Sequence, residues 1–265
     1  MSTKITPQEL YEKLINENNI LKSQGEITFS FSGVDIVIRQ KDVVGNIMQE
    51  WLEGWLNQNN IEYAKSNNTQ MPPDFYLDQS NRKHHLLEVK AFNYEANPCF
   101  DIGDFRMYEE ELIREPWMLD VDYLIFGYVM SPTGKVTIKH LWLKKVWEIT
   151  SSSGRWPLKL QVKRNIINKI RPCKWYSKNV VFDVFESKED FLSAIEETVF
   201  RNPATRDSSG TWRNDFLNSY KAHYGVDLTI KRWDELRDKY QANKRIINDT
   251  KSFIETSLQN SSKNH

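Results

Sequence analysis

The most apolar run of the chain, VDYLIFGYVM (Val121–Met130), predicts a buried central strand. A strand that is covered on both faces carries apolar side chains at nearly every position, whereas a half-exposed strand alternates. Before this run, Asp104–Glu115 predicts a helix that ends ahead of Pro116, and after it Val136–Leu143 predicts a further strand. We therefore expect an α/β fold with a mixed central sheet flanked by helices.

The N-terminal part supplies two predicted helices and a hairpin. Thr6–Asn18 begins with a capping box, and Ile27–Ile38 contains alternating apolar residues that indicate a pair of strands. Val43–Asn57 has a strong helical apolar stripe, and Asp42 is its predicted N-cap. Beyond Ser187 the pattern is mainly helical, and Gln259–His265 forms a polar tail.

Two predicted strands between these helices carry ionisable side chains. Asp74 heads PDFYLD, and after a polar turn Glu88 and Lys90 end the apolar run HHLLEVK. Alternation places Glu88 and Lys90 on one face of the strand and Val89 on the other. Two carboxylates, with the Val89 carbonyl as a further ligand, suit Mg2+. The cation would polarise a phosphate and lower the pKa of a bound water, while the ammonium would offset developing charge.

A simpler interpretation of the same residues stays open. Asp74 could cap a turn, and Glu88 and Lys90 could form a solvated surface pair of little energetic weight. His84 and His85 precede the strand, but alternation directs them to opposite faces, which disfavours a joint metal site. The chain has no glycine-rich loop with Walker spacing, which argues against a nucleotide cofactor, and no Gly-x-Ser-x-Gly elbow.

Charge is distributed unevenly along the chain, although the total is zero. Residues 131–178 hold twelve lysines and arginines but only one acidic residue, Glu148, so this segment carries +11. Such a cationic surface is typical of phosphate binding and indicates a nucleic-acid partner. The alternative is a solvated basic face compensated by acidic residues elsewhere, with the interleaved tryptophans in the core.

Individual DNA contacts follow from residue type and position. The loops Thr150–Trp156 and Asn202–Asn214 are candidates to read bases, because arginine and asparagine are common readers of guanine and adenine. Equally, both loops could be exposed connections. The predicted base readers in these loops are Arg155, Arg206, Arg213 and Asn214, and the predicted phosphate contacts are Lys144, Lys145, Lys163 and Arg164.

The order of elements and the spacing PD-x13-E-x-K resemble the PD-(D/E)xK nucleases. Phe100–Met130 (FDIGDFRMYEEELIREPWMLDVDYLIFGYVM) is similar to type II restriction endonucleases of the NgoBV family, and the similarity covers about residues 50–130. The resemblance implies a homodimer, Mg2+ dependence and double-strand cleavage, with Asp74, Glu88 and Lys90 as catalytic residues. It also implies an acidic residue on the preceding helix, for which Glu50 and Glu53 are the candidates.

The sequence also predicts the domain organisation and the cellular compartment of the protein. No clear linker or repeat appears, so residues 1–265 are predicted to be one nuclease domain, with a core at about 42–145, a basic segment at about 131–178 and a helical part at about 187–260. Two cysteines and no apolar membrane span predict a cytoplasmic protein. A repair nuclease on the same core, or a non-catalytic DNA-binding protein, are the alternative functions.

Overall fold

A computed structural model describes residues 2–68 and 70–244, so the predicted tail Gln259–His265 lies outside the described residues. The α-helices are α1 (Pro7–Asn16), α2 (Val44–Gln58), α3 (Phe105–Arg114), α4 (Val146–Ile149), α5 (Lys188–Arg201), α6 (Ser209–Tyr224) and α7 (Trp233–Tyr240). The strands are β1 (Gln24–Glu26), β2 (Thr28–Phe31), β3 (Val34–Val37), β4 (Ala64–Lys65), β5 (Phe75–Tyr76), β6 (Leu86–Asn93), β7 (Gly103–Asp104), β8 (Asp122–Met130), β9 (Lys135–Lys144), β10 (Leu160–Lys163) and β11 (Ile166–Ile170). None of the helices in this described part is long and apolar enough to cross a bilayer.

The central sheet has six strands in the order β1-β9-β8-β6-β5-β4. Strands β6 and β8 pair in parallel over seven residue pairs, from Leu87↔Asp122 to Asn93↔Tyr128, and the other pairs are antiparallel. The chain between β6 and β8 contains β7 and α3, because a parallel pair needs a long connection. The predictions of a mixed sheet and of a buried central strand at Val121–Met130 are thereby confirmed.

Helices cover both faces of this sheet and fix the direction of each β6 side chain. On one face α1 and α2 contribute Leu14 and Leu52 to a core that also contains Val89. On the other face α3 and α6 contribute Leu112 and Trp212 to a second core. Leu86 and Phe92 lie in this second core, so Glu88 and Lys90, which share their parity along β6, face the same side. On this face of the sheet, β6 thus carries two ionisable side chains between the two apolar ones.

Local signals at helix ends predicted some boundaries well and others poorly. Thr6 forms the predicted capping box with Glu9. Asp42 does not cap α2, because Lys41–Val43 forms a short 3-10 helix and Val43 is the first flanking residue. The predicted loop Asn202–Asn214 is also wrong in its second half, since α6 begins at Ser209.

Glu109 generates a testable prediction about stability. This α3 residue is buried, and burial raises the pKa of its carboxyl to about 7, with help from nearby Glu110. The folded state therefore holds the proton more tightly than the unfolded state, and stability falls as pH rises from about 4.5 to about 7. Glu109→Gln should raise the free energy of unfolding at pH 8 by about 1–3 kcal/mol and leave it nearly unchanged at pH 4.

Denaturant unfolding at pH 4 and pH 8 measures this difference. Glu111→Gln is the matched control, because this carboxylate of the same helix pairs with Arg114 at 2.7 Å. A Glu109→Gln protein that is no more stable than the parent at pH 8 would show that the buried carboxyl ionises without penalty.

Candidate active site

The carboxylate of Asp74 is held in one orientation by two donors. Asp74 follows a cis peptide bond between Pro72 and Pro73, and its own N–H donates to the Leu87 carbonyl of β6 at 3.0 Å. Its Oδ2 accepts from the Val89 N–H at 2.8 Å, and its Oδ1 accepts from Gln49 Nε2 at 2.9 Å. Since a carboxylate has about four lone-pair positions, both oxygens can still bind another partner.

Glu88 and Lys90 form a close ion pair on the face of β6 opposite Val89. The Oε1 atom of Glu88 lies 2.5 Å from Lys90 Nζ, so these side chains share one face as alternation predicted. The Glu88 residue is only 5% exposed. Its second oxygen, Oε2, is buried and has no hydrogen-bond partner within residues 2–68 and 70–244. An ionised oxygen in this state is unfavourable unless a cation or donor reaches it.

The pKa values of the three groups reflect this burial. Burial raises the pKa of Glu88 to about 7, although neighbouring Lys90 opposes the rise. Burial likewise raises the pKa of Asp74, against the opposing effects of the Val89 N–H and Lys90. For Lys90, burial lowers the pKa, but the Glu88 and Asp74 carboxylates outweigh it and the net pKa is raised. The ammonium therefore stays charged, and both carboxyls favour a positive partner.

These side chains line a polar cavity of about 330 Å3 between α2 and β6. Asp101, Gly103 and Lys169 line its far wall. The part of the chain that the structure describes contains no group of three or more His, Cys, Asp or Glu residues suited to a metal. Asp101 pairs with Arg171 at 3.0 Å, which leaves Asp74 and Glu88 as the carboxylate donors. Two carboxylates with a backbone oxygen fit a hard cation that keeps several of its waters. Val89 also lines the cavity.

The helix before the motif presents an amide to this cavity, where an acidic residue was expected. Of the α2 residues, Gly45, Asn46 and Gln49 line it. Glu50 is exposed, and Glu53 pairs with Lys65 at 2.8 Å beside a different cavity. The structure therefore brings neither predicted glutamate to Asp74. Gln49 was missed because its amide suggests no metal chemistry, although its place on a helix next to the motif strand was a usable signal.

Three of the predicted DNA contacts are already neutralised within the chain. Lys144 pairs with Glu148 at 2.9 Å. Lys145 pairs with Asp122 at 2.8 Å and donates to the Asp120 carbonyl. Arg213 pairs with Glu196 and donates to the Ile230 carbonyl, so it joins α6 to its neighbours. These three cations therefore have partners within the chain, and their assignment to DNA stays a prediction.

The two loops predicted to read bases are less open than expected. In Thr150–Trp156 the first three residues are buried, and Ser152 donates to the Tyr240 carbonyl of α7. Only Gly154 and Arg155 are exposed, with the Arg155 guanidinium 5.9 Å from the Trp156 ring centre. In the second loop Asn214 lies on α6, exposed, and Arg206 is exposed while donating to the Phe200 carbonyl.

Most tryptophans of the basic segment belong to the core. Trp142, Trp175 and Tyr176 pack on Phe92, with ring centres 5.7–5.9 Å from it. Lys163 and Arg164, in contrast, are exposed where β10 turns into β11. The basic segment therefore divides into a packed base and an exposed tip.

The chain belongs to the NgoBV restriction endonuclease family, whose model matches residues 4–240. It is 55% identical over 239 residues to the type II restriction enzyme NlaIV of Neisseria lactamica, covering 90% of this chain and 98% of that protein. It is 50% identical over 161 residues to the type II restriction enzyme NgoBV of Neisseria gonorrhoeae, covering 61% and 91% respectively. A solved NlaIV restriction endonuclease structure superposes with a TM-score of 0.89 at 54% identity, covering 91% of this chain and 98% of that chain.

These matches confirm the resemblance that was seen in the sequence and define the protein as a type II restriction endonuclease. They also extend it, because the family match continues through the helical C-terminal part, which the sequence pattern left unaligned.

Proposed function

We propose that Asp74, Glu88 and Lys90 form a PD-(D/E)xK active site that hydrolyses phosphodiester bonds of double-stranded DNA at a specific sequence. The observation that carries this proposal is the buried Oε2 of Glu88, which lacks a partner beside an oriented Asp74 and a charged Lys90. A structural ion pair needs no such open oxygen, since buried carboxylates normally have all their lone pairs satisfied. A metal site requires such an open oxygen.

Mg2+ is the cofactor that this donor set fits best. Asp74, Glu88 and the Val89 carbonyl would hold it, and when bound it supplies Lewis-acid polarisation of the phosphate and a water of lowered pKa. The protein contributes orientation, because the Gln49 amide and the Val89 N–H fix the Asp74 carboxylate before substrate arrives.

Lys90 acts on the reacting atoms. Its ammonium lies at the cavity wall, where it can donate to the attacking water and to a non-bridging phosphate oxygen. The water oxygen forms a bond to phosphorus and loses a proton to solvent, while the bond to the leaving oxygen breaks and that oxygen takes up a proton from solvent. Negative charge grows on the phosphate during this step, and a nearby fixed cation stabilises it.

We further propose one nuclease domain over residues 1–265 in a cytoplasmic homodimer. Both cores pack on the same six-stranded sheet, which supports a single folding unit. Two strands of opposite polarity must be cut, and a two-fold dimer presents one site to each.

The hairpin β2–β3 and the exposed side of α2 support the dimer. Phe29 and Phe31 are 52% and 71% exposed and stack on each other, and Val34 and Ile36 are also exposed. These four side chains lie in cross-strand pairs, Phe29 with Ile36 and Phe31 with Val34, and on α2 Ile47 is exposed at a cavity of about 330 Å3. Exposed apolar surface of this kind is typical of a protein interface.

Replacing Asp74 with Asn should abolish cleavage while leaving DNA binding largely intact. The substitution keeps the side-chain volume but removes one negative charge and one acceptor from the metal site. Plasmid digestion with Mg2+ and a gel shift measure the two properties. Asp78→Asn is the control, because Asp78 pairs with Lys4 at the surface and should remain active. Cleavage by Asp74→Asn at the parent rate would contradict the assignment.

Replacing Lys90 with Met should lower the cleavage rate by about 100-fold or more without unfolding the protein. Met is unbranched like Lys and lacks only the position of the terminal nitrogen, so it cannot donate to water or phosphate. Single-turnover digestion gives the rate, and calorimetric titration with Mg2+ shows whether the metal site survives. A rate within about tenfold of the parent would make Lys90 a partner of Glu88 alone.

Replacing Phe31 with Asp should convert the homodimer into monomers, because it would bury a charge in the proposed interface. Sedimentation velocity with and without duplex DNA measures the change. Phe200→Asp is the matched comparison, since Phe200 is 56% exposed on α5, outside the proposed interface. A parent protein that stays monomeric even on DNA would contradict the dimer.

A further inference from the structure

The hairpin β10–β11 has the shape of a narrow two-stranded arm. Its strands pair antiparallel from Leu160↔Ile170 to Lys163↔Ile166, and only Arg164 and Asn165 form the turn. Both turn residues have positive φ, at 50° and 65°, as a two-residue type I′ turn requires. A register shift between Gln161 and Val162 adds a local bend. Such a ribbon fits the major groove of B-DNA, which admits an α-helix or two β-strands.

The tip of this hairpin is exposed and its cations have no carboxylate partner. Lys163, Arg164, Asn165 and Ile166 are all exposed. Neither Lys163 nor Arg164 forms an ion pair with any residue in the described ranges 2–68 and 70–244, unlike Lys144, which does. Ile166 is 62% exposed. The tip therefore offers unneutralised charge, an amide and an apolar side chain, the groups that contact phosphates, bases and the thymine methyl.

The base of the hairpin is built into the wall of the candidate active site. β11 pairs with β7 through Lys169↔Asp104 and Ile170↔Gly103. Both Lys169 and Gly103 line the cavity that contains Asp74 and Glu88. Ile170 is fully buried, which anchors this end of the arm. The position of the tip relative to the site is therefore set by regular strand geometry.

The length of the arm agrees with a short recognition sequence. Five residues separate Lys169 from Arg164, which at about 3.3 Å per residue places the tip about 17 Å from the cavity wall. Since successive nucleotides of one strand are about 3.4 Å apart along the helix axis, this corresponds to about five base pairs.

We infer that the β10–β11 hairpin enters the major groove, where Arg164 and Asn165 read base edges while Lys163 contacts phosphate. This inference rests on the proposed DNA cleavage and assigns its sequence specificity. Arginine binds the acceptors of guanine and asparagine the paired donor and acceptor of adenine, so the tip carries readers for both purines. The hairpin replaces the two predicted loops, of which one is largely buried and the other partly helical.

The test uses the full chain carrying Asp74→Asn, so that bound DNA is not cut, and a pool of duplexes with a randomised window. Sequencing of the bound fraction gives the base preference of this parent. Adding Arg164→Ala or Asn165→Gly should reduce preference at one or more positions by roughly 10-fold to 100-fold. Glycine adopts positive φ freely, so Asn165→Gly keeps the turn if the other variant misfolds. Lys163→Ala should weaken all sequences alike.

Three results would overturn the inference. The first is an unchanged base preference in both tip variants. The second is a loss of preference in Arg155→Ala alone, which would identify the loop Thr150–Trp156 as the reader, and the third is a parent that enriches no sequence. The proposed function is judged separately, by whether the wild-type chain with Mg2+ cuts plasmid DNA into discrete fragments.

Discussion

The ion pair between Glu88 and Lys90 is the interaction on which the candidate site depends. It lies on β6 between Leu86 and Phe92, two residues of an apolar core, and Glu88 is almost fully buried there. Placing two charges in such surroundings is unfavourable unless every polar atom is satisfied. One oxygen of Glu88 is not satisfied by the described residues. The fold therefore maintains a buried negative group whose natural complement is a cation.

The surrounding architecture keeps this arrangement rigid. The parallel pairing of β6 with β8 fixes the register of Glu88, which lies opposite Tyr123. Strand β5 and the Asp74 N–H bond to Leu87 bring the second carboxylate alongside. Helix α2 adds the Gln49 amide from the opposite layer. Asp74 itself precedes β5, and its hydrogen bonds to β6 and α2 hold it in place.

Whether a feature of the fold or the site could be predicted from the sequence depended on how far apart along the chain its residues lie. Alternation along β6 correctly predicted that Glu88 and Lys90 share a face, and the apolar run at Val121–Met130 correctly predicted the central strand. Contacts between distant segments were not predictable. The pairing of Lys145 with Asp122, for example, gives a carboxylate partner to a cation that was assigned to DNA. The Gln49 contact with Asp74 joins residues 25 apart, and its only signal in the sequence was the place of Gln49 on the helix before the motif strand.

The central claim is that Glu88 and Asp74 together bind a divalent cation. A bound ligand stabilises the folded state by an amount that grows with the logarithm of its concentration above its dissociation constant, so thermal unfolding with increasing Mg2+ measures binding without any DNA. The unfolding temperature of the parent should rise with Mg2+, and that of Glu88→Gln should not, because the amide oxygen is a much weaker ligand. If Glu88→Gln showed the same Mg2+-dependent rise as the parent, the buried carboxylate would not be the metal ligand and the proposed active site would be wrong.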